Sequence, residues 1–235
     1  MKIIPAIDLM DGRVVRLYKG NPNQKTVYSN NPVEVAKKWQ SNGADMLHLV
    51  DLDATLGRGS NLLTIKKIVE QISIPIQIAG GLRDELTITD VSKICNRVVL
   101  GTLAFKDKLM LKKLLKSLGS EKIVISVDHI DGKIVTHGWQ KGTDIKLIES
   151  MKEFLAMGFT EFLLTNVNHD GTLEGPDLEF LTQACQLDNA HVIASGGISN
   201  KKDVEDVKQK NAFGVILGKA LYENKISIEE AKQLA

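Results

Sequence analysis

Short apolar runs alternate with longer amphipathic segments along nearly the whole chain. The opening run, Ile3-Ile4-Pro5-Ala6-Ile7, leads to Asp8 and then to a turn at Asp11-Gly12. Unbroken apolar runs of this length, bounded by turn residues, mark strands of a buried parallel sheet. Similar runs recur at 46–51, 75–79, 97–100, 123–128, 162–165, 191–195 and 213–217. Between them, helical spacing is found at 32–43, 61–72, 84–94, 105–118, 144–157, 178–187 and 201–210, and Ser227 opens a last helix. Pro32 follows Asn31, a favoured N-cap, and the spacing turns Val33, Val35, Ala36 and Trp39 inward. Residues 13–19 and 133–139 read as hairpins behind the first and fifth strands. Residues 21–31, 51–60 and 166–176 read as polar loops. Eight strand–helix units predict one parallel sheet closed into a (β/α)8 barrel, a TIM barrel, rather than an open doubly wound sheet.

The pattern also repeats. Ile125-Ser126-Val127-Asp128-His129-Ile130-Asp131-Gly132 has the layout of the first strand and its turn, with Asp128 matching Asp8 at a shift of 120. Gly80-Gly81-Leu82 matches Gly196-Gly197-Ile198 at 116, and Val99-Leu100-Gly101 matches Ile216-Leu217-Gly218 at 117. The expectation is a single domain of two fused half-barrels, about 1–120 and 121–235, related by an approximate two-fold axis.

Composition narrows the function. The 235 residues suffice for one such barrel, and 30 basic against 29 acidic residues give a net charge of +1. Neither nucleic acid nor an acidic membrane surface is suggested by that balance. No apolar run approaches a membrane span of roughly 18 residues, and the first segment is a core strand rather than a signal peptide. Cys95 and Cys185 stand apart and read as buried free thiols of a reduced, cytoplasmic protein. No spacing of His, Cys and carboxylates suggests a metal, and no cofactor is implied. A monomer acting on a small molecule is expected.

A charge at a buried strand end needs a partner or an open site. A lone Asp8 is equally well a carboxylate capping its own turn, but Asp8 and Asp128 fall on opposite strands of the barrel and would face each other. Such a pair can act as acid and base if one remains protonated. The Gly pairs allow backbone N–H groups to approach an oxyanion, although tight turns alone would also use them. Barrels often hold phosphate in the loops after strands seven and eight. Gly196, Gly197, Gly218 and Lys219 fall there, and Gly80, Gly81, Arg83, Gly101 and Thr102 occupy the related positions after strands three and four. Two such sites imply a ligand phosphorylated at both ends and lying across the barrel mouth. Trp139 either stacks on a planar heterocycle or anchors its loop. Thr165 ends strand six near the mouth, and Asp170-Gly171-Thr172 follows it. Asp51 and Asp53 either brace the second loop or touch ligand. His129 should point away from Asp128, and His48 and His191 read as core residues.

These residues resemble the ProFAR isomerase family of histidine biosynthesis, the HisA family, where ProFAR is phosphoribosylformimino-5-aminoimidazole carboxamide ribotide. The resemblance rests on IIPAIDLMDGRVVRLYKG at 3–20, HLVDLDATLGRG at 48–59, AGGLR at 79–83 and SVDHIDGKIVTHGWQ at 126–140. DGTLEGPD at 170–177, ASGGIS at 194–199 and LGKALYEN at 217–224 extend it over the whole chain. It implies an Amadori rearrangement of an aminoaldose to an aminoketose without metal or organic cofactor. Asp128 would be the general acid, Asp8 the general base, Thr165 a contact for the sugar, and Trp139 part of a mobile loop over the imidazole. The family commonly has Thr-Asp-Ile and Arg-Asp-Gly around strand six and Asn after Gly-Pro. This chain has Thr165-Asn166-Val167, His169-Asp170-Gly171 and Asp177. The alternatives are the sister cyclase, a lyase of the same pathway, a dual-substrate isomerase also acting on phosphoribosylanthranilate, and a sugar-phosphate sensor.

Overall fold

The computed structural model describes residues Met1–Ala235. The chain begins with β1 (Lys2–Met10), which turns back into β2 (Arg13–Tyr18) and β3 (Asn21–Ser29) before α1 (Pro32–Ser41). Next come β4 (Leu47–Asp51), α2 (Leu52–Leu56), α3 (Leu62–Gln71), β5 (Ile76–Ala79) and α4 (Glu85–Ile94). Then follow β6 (Arg97–Leu100), α5 (Thr102–Lys106), α6 (Lys108–Leu118) and β7 (Ile123–Ile130) with its hairpin β8 (Lys133–Thr136) and β9 (Lys141–Lys146). The chain ends through α7 (Leu147–Ala156), β10 (Glu161–Asn166), α8 (Leu178–Cys185), β11 (His191–Ser195), α9 (Lys201–Gln209), β12 (Gly214–Leu217), α10 (Lys219–Tyr222) and α11 (Ile228–Leu234). The parallel strands run β1-β4-β5-β6-β7-β10-β11-β12, and β12 returns to β1. The ring has no free edge, so the fold is the expected (β/α)8 barrel.

Strand periodicity divides the core in two. On β1, Ile3, Ile7 and Leu9 join the layer between sheet and helices, whereas Ile4 and Ala6 point into the barrel. Eight side chains fill that interior: Ile4, Ala6, Met46, Val99, Val124, Leu163, Ile193 and Ile216. The next inward position on β1 is Asp8, and on β7 the inward series Val124-Ser126 arrives at Asp128. The apolar plug therefore forms the floor beneath both carboxylates. Caps agree with the sequence: the side chains of Asn31, Asp84, Asp177 and Asn200 each accept an N–H at their helix starts, and Ser227 forms a capping box with Glu230.

Several local expectations are corrected. Residues 21–29 are not loop but strand β3, paired antiparallel with β2. Both of its faces are largely exposed, so no hydrophobic alternation announces it. The loop expected at 51–60 contains α2, capped by Asp51 and closed by Gly57 at φ 69°. The single helix expected at 105–118 is broken at Asp107, whose extended backbone and side chain start α6 by accepting the Met110 N–H at 2.9 Å. Residues 144–146, expected in a helix, are drawn into β9 by pairing with β8. His191 is not in the core: it lies exposed at the start of β11 and pairs with Glu161 at 2.7 Å. No helix is long and apolar enough to cross a membrane.

Candidate active site

A cavity of about 550 Å³ opens at the C-terminal ends of the barrel strands. Ten of the residues singled out from the sequence line it: Asp8, Gly80, Gly81, Arg83, Gly101, Thr102, Asp128, Trp139, Thr165 and Asp170. Gly196, Gly197, Gly218 and Lys219 lie instead around a small adjoining cleft of about 20 Å³. Arg16, Asp170, Ser195 and Ile216 belong to both walls, so cleft and cavity are continuous neighbours.

Arg16 stands at the centre of one side. Its guanidinium donates to Asp8 Oδ2 at 2.8 Å and to Asp170 Oδ1 at 3.3 Å, and all three side chains are nearly sealed from solvent. Burial disfavours the Arg16 charge, but the two carboxylates outweigh it and hold the group firmly protonated. Burial likewise pushes Asp8 up to about 6; Arg16 opposes this and Asp170 adds to it. Asp170 is also raised by burial, against the pull of Arg16. Sequence reading missed Arg16. Its only local mark is a cation inside the apolar strand Val14-Val15-Arg16-Leu17.

Asp128 has a different setting. Ser126 donates to its Oδ1 at 2.9 Å. Burial raises its pKa, and hydrogen bonds from Trp139, Ser126 and Thr165 counter this only in part. No cation pairs with it. A carboxylate next to an arginine favours the ionised state, whereas one held by neutral donors in a dry pocket retains its proton more readily. The two carboxylates of one cavity thus sit in unlike surroundings, one with a cation and one without.

His48 is buried as expected, yet it lines the cavity rather than the hydrophobic core. Gln77 Nε2 donates to its Nδ1 at 2.9 Å, and burial, with Arg16 nearby, pushes it down to about 3. It is a neutral donor at ordinary pH. Lys106 also lines the wall and was not singled out from the sequence. His129 points outward against Phe180, as the strand period requires.

Other residues serve the scaffold. Asp51 accepts the Ala54 and Asn61 N–H groups, and Asp53 accepts the Asp11 N–H, so both brace the second loop. The turn reading of the Gly pairs holds. Gly80 and Gly81 (φ 98° and 71°) and Gly196 and Gly197 (φ 95° and 81°) adopt left-handed turns beside the cavity and cleft. A Cβ on Gly81 would meet Ala54 Cβ at 2.3 Å, and one on Gly197 would meet the Gly175 carbonyl oxygen. Gly218 makes room for the cation, since a Cβ there would approach the Arg16 guanidinium carbon at 2.8 Å. Arg83 donates to the Thr55 carbonyl at 2.6 Å and Lys219 to that of Gly171 at 3.1 Å, which places each cation at its rim.

Two departures from the family pattern meet in the structure. Asn166 Nδ2 donates to Asp177 Oδ2 at 2.6 Å, and Asp177 caps α8. In a chain with Asp and Asn at these positions the same link would run in the opposite direction.

A (β/α)8 barrel with two unlike carboxylates over one mouth cavity is the layout of an acid–base enzyme. The chain belongs to the histidine biosynthesis protein family, whose model matches residues 2–227. It is 70% identical over 234 residues to a protein of Nitrosopumilus maritimus (strain SCM1), covering 100% of this chain and 99% of that one. It is 54% identical to a protein of Cenarchaeum symbiosum (strain A), covering 98% and 99%. A protein of Halothermothrix orenii is 40% identical, covering 99% of each. All three are named 1-(5-phosphoribosyl)-5-((5-phosphoribosylamino)methylideneamino) imidazole-4-carboxamide isomerase.

Proposed function

We propose that this chain is an aldose–ketose isomerase that converts the bis-phosphorylated aminoaldose ProFAR into its aminoketose in histidine biosynthesis. The observation that carries this reading is the pair of carboxylates, Asp8 buried beside Arg16 and half-buried Asp128 among neutral donors, over one cavity. The names of the full-length relatives point to the same reaction.

The substrate's two phosphates would lie at opposite rims, one against Gly81, Arg83, Gly101 and Thr102, the other in the cleft of Gly196, Gly197, Gly218 and Lys219. Its middle then spans the floor between Asp8 and Asp128. Asp128, protonated, gives its proton to the ribose ring oxygen as the C1–O bond breaks and the nitrogen lone pair forms a Schiff base. Asp8, held ionised by Arg16, removes the C2 proton, and those electrons produce an enolamine. Tautomerisation, with a proton returned to C1, gives the ketose. Thr165 and the neutral His48 can orient sugar hydroxyls, and Trp139 can cover the imidazole. Each proton transfer is worth roughly 10²–10⁴ in rate. We also infer a cytoplasmic monomer that needs no protein partner, to be checked by light scattering on the purified protein.

The test is a spectrophotometric assay with purified aminoaldose, alone and with phosphoribosylanthranilate as competitor. Turnover without ammonia or a second protein is expected. A folded protein that turns over aminoaldose at no measurable rate would overturn the assignment. Product formed from phosphoribosylanthranilate would widen it to two substrates.

A further inference from the structure

The tip of the β8–β9 hairpin has an unusual backbone. His137, Gly138 and Trp139 are consecutive left-handed residues, with φ of 58°, 62° and 68°. For His and Trp this conformation costs free energy, so it persists only where the surroundings hold it. The surroundings come from other loops. The His137 N–H donates to Thr102 Oγ1 at 2.8 Å. Gly138 rests near the Thr55 methyl, which a Cβ there would meet at 3.0 Å, and the Trp139 ring covers Gly20, where a Cβ would lie 2.4 Å from Cε3. Trp139 and Asp128 line the same cavity.

Thr102 is the joint in this arrangement. It directly follows Gly101 on the wall of the cavity that Arg83 and Lys106 also line. Its oxygen accepts from His137, while its own hydroxyl proton makes no hydrogen bond within the protein. A hydroxyl that donates becomes a better acceptor, because each hydrogen bond polarises the next. A phosphoryl oxygen at this rim would take that proton and so strengthen the grip on the His137 N–H.

We propose that Thr102 is a positioning residue for Trp139, through which oxyanion occupancy of the Gly101 rim fixes the hairpin tip with its indole on the wall of the cavity that Asp128 also lines. This rests on the reading that a substrate phosphate occupies that rim. Occupied, the rim holds the strained tip in place; unoccupied, it leaves the tip on a weaker bond. The far end of the substrate thereby reports its arrival to the hairpin that walls the cavity of the proton donor.

The chain has only two tryptophans, Trp39 and Trp139. Protein labelled with 5-fluorotryptophan therefore gives two ¹⁹F resonances, assigned by Trp39→Phe. Inorganic phosphate is the probe, with its binding measured in parallel by calorimetry. In wild type, saturating phosphate should shift and sharpen the Trp139 resonance. Thr102→Val should still bind phosphate at higher concentration while that resonance stays unmoved. In turnover, Thr102→Val should lower kcat about tenfold with a smaller change in KM, the pattern of a lost transition-state arrangement, and Thr102→Ser should restore both readouts. If the Trp139 resonance of Thr102→Val responds as in wild type, or if only KM rises, Thr102 is a phosphate ligand alone and the coupling is overturned. Should Thr102→Val fail to fold, a Thr102→Ser variant that keeps phosphate binding but loses the Trp139 response overturns it equally. Wild type that binds no phosphate overturns the phosphate reading itself, a result distinct from the others.

Discussion

The hairpins after the first and fifth barrel strands share one backbone and carry different chemistry. Asp11 and Asp131 turn at φ 52° and 49°, followed by Gly12 and Gly132 at 70° and 75°. Met10 pairs with Arg13 in one hairpin as Ile130 pairs with Lys133 in the other. Eight residues beyond each carboxylate the copies part. Arg16 reaches back to Asp8 at 2.8 Å, but Thr136 engages its hydroxyl with His137 and Lys141 within its own hairpin. The same scaffold thus delivers a carboxylate with a cation on one side and without one on the other. On the proposed mechanism, that single difference separates base from acid.

A second pair of positions shows the same reuse of backbone. At the end of the second barrel strand, Asn61 Nδ2 donates to Asp51 Oδ1 at 2.8 Å, linking strand end to helix start. At the end of the sixth, Asn166 donates to Asp177 at 2.6 Å. The link is kept and its polarity reversed.

The comparison makes five predictions, beginning with the largest effect. Asp8→Asn and Asp128→Asn should each lower kcat by about 10²–10⁴ with unchanged circular dichroism; near-normal turnover by either variant would remove its role. In wild type, Asp8 must be ionised to accept a proton. Its pKa is raised to about 6, so kcat/KM should fall about tenfold per unit as pH drops below that value.

Arg16→Met comes next. It leaves Asp8 and Asp170 buried together without their cation, and urea denaturation at pH 8 should show a loss of about 3 kcal/mol or more. Its acidic limb in kcat/KM should also move above 6. A limb that does not move would show that Arg16 does not set the state of Asp8.

The reversed link can be tested by exchange. Asn166→Asp should destabilise by about 1–3 kcal/mol because it sets two carboxylates against each other, and adding Asp177→Asn should recover most of the loss. Additive losses in the double variant would show that the two departures are independent. The smallest effect distinguishes the two turns. Gly12→Ala meets open space and should cost only the left-handed penalty, about 1–2 kcal/mol. Gly132→Ala would bring its Cβ within 2.4 Å of the Phe180 ring and should cost roughly 1 kcal/mol more in thermal unfolding. Equal losses would show that Phe180 yields freely.

Local patterns had already set the order of strands and helices, the helix caps and the inward alternation that aims Asp8 and Asp128 at one cavity. Each depends on period, turn chemistry or capping, which act over a few residues. Strand β3 escaped because pairing alone, not an apolar face, makes it a strand. The α5–α6 break escaped because Asp107 fits a helix surface as well as a cap. His191 misled because an apolar strand does not reveal which of its ends opens to solvent.

Only closure of the barrel decided the rest. Arg16 meets Asp170 across 154 residues of sequence, and nothing near either one announces the other. Whether a carboxylate holds its proton depends on the charges and burial that distant segments bring to it. A sequence can name its acids through local order, but the dielectric and the neighbouring cation that assign their roles exist only once the ring is complete.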